Sequence, residues 1–136
     1  MPALPPDGGN EGIKEFLKQK NVAVAGSFRS REKVAYRILL KLKAAGRKVY
    51  PVNPSMEVVE GLACSASVSE IASNIDAVDI VTPPAVTEKI VLECVKRNIK
   101  NVWLQPGAES EKAVNDCRNN GINVVYGACL LVELED

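Results

Sequence analysis

The sequence has 136 residues, with 17 Lys plus Arg against 17 Asp plus Glu, and 46% of its residues are apolar. This length suits one domain with one ordinary core, and the neutral charge excludes the broad basic surface of a nucleic-acid-binding protein. The chain has no histidine, which excludes Ser-His and Cys-His nucleophile pairs and most transition-metal sites. We therefore expect neither conventional hydrolase chemistry nor a metal site.

The termini and cysteines indicate a protein of a reducing compartment. The apolar stretches are far shorter than the roughly 18 residues that a membrane span needs, so we expect no membrane partner. Residues 1–10 lack the basic and apolar parts of a secretory signal, and we interpret them as a flexible arm. Cys64, Cys94, Cys117 and Cys129 form no Cys-x-x-Cys pair, which is unlike a zinc cluster or a secreted disulfide framework. A cytoplasmic location is expected.

The first half of the chain alternates between helical periodicity and short apolar runs. The predicted segments are a helix over 11–20, strands over 21–25, 48–52 and 61–64, and a helix over 33–45. Gly26 closes the first strand, and Gly46 stands where the left-handed cap of the second helix belongs. Ser67 and Glu70 have the spacing of a capping box, which predicts a short helix through Ala72.

The second half continues the same alternation. The predicted strands cover residues 77–81, 101–104 and 123–126. One helix begins at Thr82-Pro83-Pro84, which supplies a cap and first-turn prolines. Another is capped by Ser110 and ended by Gly121.

Uniformly apolar strands alternating with helices predict a parallel sheet that is covered on both faces. The fold class is therefore α/β, a doubly wound, mostly parallel sheet in a Rossmann-like three-layer sandwich. Ligands of such sheets bind outside the carboxyl ends of the strands, near the point where strand order reverses. The loops at that edge are residues 26–32, 53 onward, 82–85, 105–109 and 127–129.

The first of these loops, Gly26 to Lys33, lacks the glycines of a dinucleotide fingerprint and the ending of an NTPase loop. Its cations, Arg29, Arg31 and Lys33, crowd the positive end of a helix dipole, which is unfavourable unless an anion binds there. A phosphate held by Ser27 and the helix-start amides would resolve this conflict. The alternative is a solvated charged turn.

The loop after the second long strand lacks the acidic residue that an NAD site usually uses to bind ribose. Asn53 stands there, between Val52 and Pro54. Asn53 could hydrogen-bond a ribose or an adenine. Alternatively, Pro51 and Pro54 only shape a turn.

Two further loops complete the edge. Thr82-Pro83-Pro84 is either a simple helix start or, with Val81, a rigid apolar wall for a purine ring. We assign Trp103 to the core. Gln105 and Gly107 are expected to reach the crevice, although Gln105 could equally serve only loop hydrogen bonding.

The remaining chemically interesting residues suggest structural roles. Asp76 and Asp79 are expected at the entry end of their strand, away from the ligand edge, and no paired carboxylates emerge. Cys94 and Cys117 fall on inward helical stripes. Cys129 follows the last strand at the ligand edge, but no base accompanies it, so a catalytic thiolate is disfavoured.

These features together resemble the small stand-alone CoA-binding proteins, whose domain is related to the CoA-binding part of succinyl-CoA synthetase. The resemblance extends from about Asn21 to Glu133. Its segments are Val-Ala-Gly26-Ser27, Tyr36, Val49-Tyr-Pro-Val-Asn53-Pro54, Gly61, Val78-Asp-Ile-Val81, Val102-Trp-Leu-Gln-Pro-Gly107, and Cys129 with Glu133. The chain departs from the family at Phe28, at Thr82-Pro83-Pro84 where many members have Phe-Arg-Arg, and at Leu130 where a proline is usual.

The resemblance implies a single CoA-binding domain over residues 11–136 that binds coenzyme A or an acyl-CoA without catalysis. The pyrophosphate would lie on the first loop, the adenosine against the second and third loops, and the pantetheine arm toward the fourth. The implied cofactor-binding residues are Gly26, Ser27, Phe28, Arg29, Arg31, Lys33, Asn53, Pro54, Val81, Thr82, Pro83, Gln105, Pro106 and Gly107.

Two other functions stay open at this point. One is an NAD-responsive regulatory or oxidoreductase-like domain, against which the missing acidic residue and proton-transfer group count. The other is a CoA-binding subunit of an acyl-CoA synthetase-type complex, which without a histidine could contribute only binding. A homodimer or a larger ligase-type partner is compatible with either.

Overall fold

The computed structural model describes residues 9–134. Its strands are β1 (Asn21–Ala25), β2 (Lys48–Val52), β3 (Val58–Val59), β4 (Leu62–Ala63), β5 (Ala77–Ile80), β6 (Asn101–Leu104) and β7 (Asn123–Val125). Its α-helices are α1 (Gly9–Leu17), α2 (Val34–Ala44), α3 (Pro84–Lys96), α4 (Glu111–Asn119) and α5 (Leu130–Glu133). Residues 1–8 of the predicted arm lie outside the described residues, whereas Gly9 and Asn10 belong to α1.

Five strands form one parallel sheet in the order β2-β1-β5-β6-β7. A single parallel bridge between Val52 and Ser65 adds one residue pair on the outer side of β2, where a sixth strand would lie. Counting this bridge as the third strand gives the Rossmann order 3-2-1-4-5-6. The predicted Rossmann-like fold is therefore confirmed, and the strand order reverses between β1 and β5.

The sheet buries both of its faces, as its uniformly apolar strands predict. Ala23 and Ala25 belong to the cluster that α3 and α4 cover, whereas Val22 and Val24 belong to the cluster under α1, α2 and α5. Trp103 is fully buried, as predicted, and its Nε1 donates to the carbonyl of Ala128 at 2.9 Å. The loops that form the cleft thus extend from a sheet with helices packed on both faces.

Helix ends agree with the sequence in two places and differ in a third. Ser110 caps α4 by accepting a 3.0 Å hydrogen bond from the amide of Ala113. Gly121 has φ of 71°, as a helix-ending glycine requires. The predicted capping box was wrong, because the Ser67 side chain makes no capping bond and only a 3₁₀ turn, Val68–Glu70, follows it.

Asp76, just before β5, and Asp79, within it, differ in their environment. Asp76 lies at the entry end, as predicted, where its Oδ2 accepts hydrogen bonds from the amide and side chain of Asn21, both at 3.1 Å. The prediction for Asp79 was wrong, because it is the third of four residues in β5 and is completely buried. Its side chain points to the α2 face of the sheet, between Val24 and Trp103 in the register.

Cys94 and Cys117 are completely buried, which confirms their predicted packing role. Burial raises the pKa of the Cys94 thiol, and it raises the pKa of the Cys117 thiol to about 12. Both thiols therefore stay protonated at neutral pH. None of the described helices combines the length and apolar character that crossing a membrane would require.

A hairpin of β3 and β4 packs beside β2, and the sequence predicted only its second strand. Its two-residue turn consists of Glu60 and Gly61, with φ of 52° and 76°. Two positive φ values in sequence are typical of a type I′ hairpin turn, in which a glutamate is unusual at the first position. The turn directs Glu60 toward the loop before α2, where it contacts Arg31.

Candidate functional site

A cleft of about 380 Å³ opens at the carboxyl edge of the sheet, where the strand order reverses. Its predicted lining residues are Gly26, Ser27, Asn53, Pro54, Val81, Thr82 and Pro83. The structure therefore brings the ends of β1, β2 and β5 together around one space. The other residues that line it are Ala25, Val52, Ala66, Ser67, Val68, Val86, Lys89, Ile90 and Glu93.

Gly26 allows α2 to approach the sheet closely at the floor of this cleft. A Cβ atom on Gly26 would lie 2.7 Å from the Cβ of Ala35 and 3.0 Å from the carbonyl oxygen of Val81. Real Cβ atoms are essentially never found at such a distance from another carbon. The glycine therefore brings the start of α2 next to the end of β5.

Ser27 follows Gly26 in the cleft wall, and its hydroxyl oxygen is buried. No hydrogen-bond partner for this oxygen occurs among the described residues. A buried hydroxyl without a partner costs about 1–3 kcal/mol. A ligand group placed in the cleft could supply the missing partner.

Asn53 ties the ends of β1 and β2 together. Its Nδ2 donates to the carbonyl of Gly26 at 2.7 Å, and its Oδ1 accepts from the amide of Ser55 at 2.7 Å. Both ends of the side-chain amide are therefore used within the protein. The structure favours a positioning role for Asn53 over direct use of its amide group to read a ribose.

The Thr82-Pro83-Pro84 segment begins α3, with Pro84 in the first turn as predicted. The predicted cap was wrong, because Pro83 occupies the N-cap position and no side chain caps the helix. The hydroxyl oxygens of Thr82 and Thr87 lie 2.8 Å apart, and Thr87 is fully buried. The threonine hydroxyls therefore stabilise the helix start. The cleft wall at this point is formed by Val81, Thr82 and Pro83.

A second, shallower cleft of about 310 Å³ adjoins the first. It is lined by Val81, Thr82, Pro83, Pro106, Gly107 and Ala108, of which the first three also line the larger cleft. The predicted residues Pro106 and Gly107 therefore lie along the same edge of the sheet. Together the two clefts form one continuous surface along the carboxyl edge of the sheet.

Two predicted site residues point into the protein instead. The side chain of Phe28 is 2% exposed and packs against Tyr36, with ring centroids 6.2 Å apart. Gln105 is also 2% exposed, so the expectation that it reaches the crevice was wrong. Loop side chains follow no simple periodicity, so sequence patterns could not predict that Phe28 and Gln105 point inward.

Gln105 belongs to a buried polar chain behind the cleft. Its Nε2 donates to Oδ1 of Asp79 at 2.6 Å, and its Oε1 accepts from the amide of Leu130 at 3.3 Å. Burial raises the pKa of Asp79 to about 8, although the Gln105 hydrogen bond lowers it in part. Asp79 is therefore mostly protonated at neutral pH, and the chain links β5, β6 and α5.

The three cations of the first loop do not line either cleft. Arg31 donates to Oε2 of Glu60 at 2.6 Å and lies over the Tyr36 ring, 5.4 Å from its centroid. The Tyr36 hydroxyl donates to the same oxygen. Arg29 and Lys33 are exposed, and Lys33 stands at the N-terminus of α2 without capping that helix through its side chain.

Glu60 is held as a carboxylate by these contacts. Its hydrogen bond from Tyr36 and the Arg31 charge lower the pKa of Glu60, despite some desolvation. The same hydrogen bond raises the pKa of Tyr36. Arg31 is therefore already balanced by a carboxylate, whereas Arg29 and Lys33 carry charge that no described residue neutralises.

One wall of the large cleft was not anticipated. Val86, Lys89, Ile90 and Glu93 lie on one face of α3 at helical spacing and all line it. An apolar stripe at this spacing predicts burial in the core, which holds for Ile90 but not for Val86. Val86 is in fact 43% exposed, because the stripe extends past the sheet into the cleft.

The described residues contain no group of three or more His, Cys, Asp or Glu that could hold a metal.

Cys129 is half-buried at the start of α5, after β7, and lines neither cleft. Glu93 is the one carboxylate in the lining of the larger cleft, and its Oε1 accepts a hydrogen bond from the amide of Ser69 at 3.1 Å.

This geometry agrees with the comparisons to known protein families. Residues 20–135 match the family described as CoA binding domain. The chain belongs to that family. It is 33% identical over 104 residues to an ADP-forming acetate–CoA ligase of Methanocaldococcus jannaschii. This match covers 76% of the present chain and 15% of the ligase. The chain thus spans under a fifth of that relative's length, and it represents the kind of CoA-binding domain that such ligases contain.

Stand-alone relatives have a similar length. A hypothetical protein from Pyrococcus horikoshii OT3 is 32% identical with a TM-score of 0.90, and the match covers 99% of this chain and 97% of that one. The protein YneT of Bacillus subtilis is 26% identical over 121 residues, which is 88% of this chain and 90% of YneT. The CoA-binding domain therefore occurs both alone and within ligases.

Proposed function

We propose that this domain binds coenzyme A or an acyl-CoA in the paired clefts and performs no chemistry on it. The observation that carries the proposal is the buried, unpartnered hydroxyl of Ser27 in an otherwise largely apolar cleft at the point where strand order reverses. An anion placed beside this hydroxyl and the first turn of α2 would satisfy it and meet the positive end of the helix dipole.

The remaining parts of the ligand follow from the shape of the site. The adenine would lie in the larger cleft against Val52, Val81 and Pro83, and the pantetheine arm would run along Pro106 and Gly107. CoA carries about four negative charges, since its ribose phosphate monoester adds to its pyrophosphate. The unneutralised cations Arg29 and Lys33 favour such a ligand over NAD.

The absence of catalysis rests on the chemistry of the lining. The chain contains no histidine, and Glu93, a lining carboxylate, already accepts a hydrogen bond from Ser69. Such a site offers no activated nucleophile with an adjacent base. Purified protein should neither hydrolyse acyl-CoA nor transfer hydride from NADH. Turnover that follows the protein through purification and is lost in Ser27→Ala would contradict this.

Ligand identity can be tested by thermal shifts with CoA, dephospho-CoA, NAD and NADP at fixed ionic strength. A ligand that binds only the folded state raises stability according to its concentration relative to its dissociation constant. CoA should give the largest shift, and Arg29→Ala and Lys33→Ala should each reduce it. Arg31→Ala should reduce it less, because Glu60 already neutralises Arg31. NAD stabilising as strongly as CoA would favour the dinucleotide alternative.

A second candidate is a CoA-binding subunit of an acyl-CoA synthetase-type complex. It is supported by the similarity to an ADP-forming acetate–CoA ligase in which the matching part is 15% of the length. In that case the chain should restore CoA-dependent activity to a ligase variant that lacks its own CoA-binding domain. No restoration, with CoA binding retained, would favour the stand-alone role.

A further inference from the structure

Lys89 is the one cation among the described residues that line the larger cleft. It lies on the exposed face of α3, one turn after Val86 and one turn before Glu93. The positive charge therefore sits beside an apolar wall, at the site itself, whereas the cations of the first loop lie outside the lining.

The ammonium group of Lys89 has no partner of its own among residues 9–134. Glu93 is the acidic residue four positions later on the same helix face, but its carboxylate accepts the amide hydrogen of Ser69 and forms no ion pair with Lys89. No ion pair or hydrogen bond joins the Lys89 side chain to another described residue. An uncompensated cation in a cleft favours an anionic ligand.

Lys89 belongs to a different wall of the cleft from the pyrophosphate site proposed above. That site belongs to the turn between β1 and α2, at Gly26 and Ser27, whereas Lys89 belongs to α3. A ligand with two anionic groups could contact both walls. A nucleotide with a phosphate monoester on its ribose has such a second group.

We propose that Lys89 recognises the ribose phosphate of the bound nucleotide and thereby makes the cleft selective for CoA over dephospho-CoA. This inference rests on the proposed function and names the specificity residue of the same site. The ammonium group makes a charge-assisted hydrogen bond to the monoester, and apolar neighbours such as Val86 and Ile90 contact the base. Arg31 is not available for this role, because Glu60 holds it.

The test measures the dissociation constants of CoA and dephospho-CoA by calorimetry, at one ionic strength, for wild type, Lys89→Gln, Lys89→Arg and Lys96→Gln. Lys96 is the matched control, because it is exposed on the same helix and does not line the cleft. Wild type should prefer CoA. Lys89→Gln should weaken CoA by about tenfold or more and leave dephospho-CoA unchanged. Lys89→Arg should keep most of the preference, and Lys96→Gln should match wild type.

Other outcomes overturn the inference in distinguishable ways. Equal weakening of both ligands in Lys89→Gln would show that Lys89 contacts the pyrophosphate or acts only through general charge. An unchanged preference in Lys89→Gln would show that another residue reads the ribose phosphate. Wild type that binds both ligands equally would refute the inference while leaving the proposed function intact. Wild type that binds neither would refute the proposed function itself.

Discussion

Gly26 and Ala35 are in such close contact that α2 would have to move if either residue had a larger side chain. A Cβ on Gly26 would lie 2.7 Å from the Cβ of Ala35. Because the first residues of the proposed anion site lie on this glycine turn, the contact couples the packing of α2 to the shape of the cleft.

Gly26→Ala should therefore destabilise the fold and weaken ligand binding. Overpacking of this kind typically costs about 1–3 kcal/mol. Ala35→Gly alone should cost about 1 kcal/mol, because glycine disfavours helix. The double variant should lose less than the sum, since removing the Ala35 methyl relieves the clash, although the Val81 carbonyl 3.0 Å away still limits the rescue. Additive losses in urea unfolding would show that the Gly26–Ala35 contact does not limit packing.

Ser27→Ala should have opposite effects on stability and on binding. The substitution removes a buried hydroxyl without a partner, so the free energy of unfolding of the ligand-free protein should stay unchanged or rise. The affinity for CoA should fall, because the ligand loses a hydrogen-bond donor. Thermal unfolding with and without CoA measures both. Ser30→Ala, at an exposed position of the same loop, is the control. A loss of stability in ligand-free Ser27→Ala would mean that the hydroxyl has a structural partner.

Glu60→Gln should loosen the contact between the β3–β4 hairpin and the loop before α2. The carboxylate raises the pKa of Tyr36 by accepting its hydroxyl hydrogen, so a neutral amide should lower that pKa toward its ordinary value. A titration of tyrosine ionisation by NMR would detect the shift in one of the three tyrosines. Glu57→Gln, an exposed residue just before the same hairpin, should leave all three unchanged. An unshifted Tyr36 in Glu60→Gln would contradict the observed hydrogen bond.

Asp79 should make stability depend on pH. Burial raises its folded-state pKa to about 8, whereas the unfolded chain has the ordinary value of 3.8. Between these values the folded state binds the extra proton, so the contribution of Asp79 to the free energy of unfolding decreases as pH rises. The slope reaches about 1.4 kcal/mol per pH unit for one group.

Asp79→Asn cannot ionise and should therefore show a flatter pH dependence of stability between about pH 5 and pH 8. Urea unfolding across this range gives the comparison, with Glu57→Gln, at an exposed position, as the control that should keep the wild-type slope. Identical slopes for Asp79→Asn and wild type would show that Asp79 is already ionised at neutral pH.

The sequence predicted the sheet, the main helices and the edge that carries the cleft, because those depend on local periodicity and on a general rule for parallel sheets. It did not predict which loop side chains turn inward, as Phe28 and Gln105 do. It also did not anticipate that Glu60 would pair with Arg31, since that contact joins residues 29 positions apart through a hairpin whose first strand was not predicted. The burial of Asp79 was not predicted for the same reason, because it depends on neighbouring strands that are distant in the sequence.

The bridge at Ser65 also changes what the outer edge of β2 exposes. Strand β2 would otherwise end the sheet with unpaired backbone groups, which invite strand addition and aggregation. Ser65 donates its amide hydrogen to the carbonyl of Pro51 at 3.1 Å and accepts the amide hydrogen of Asn53 at 2.9 Å. Pro51 itself has no amide hydrogen to offer. A third strand reduced to one residue pair thus satisfies the outer backbone groups at the carboxyl end of β2, next to the cleft.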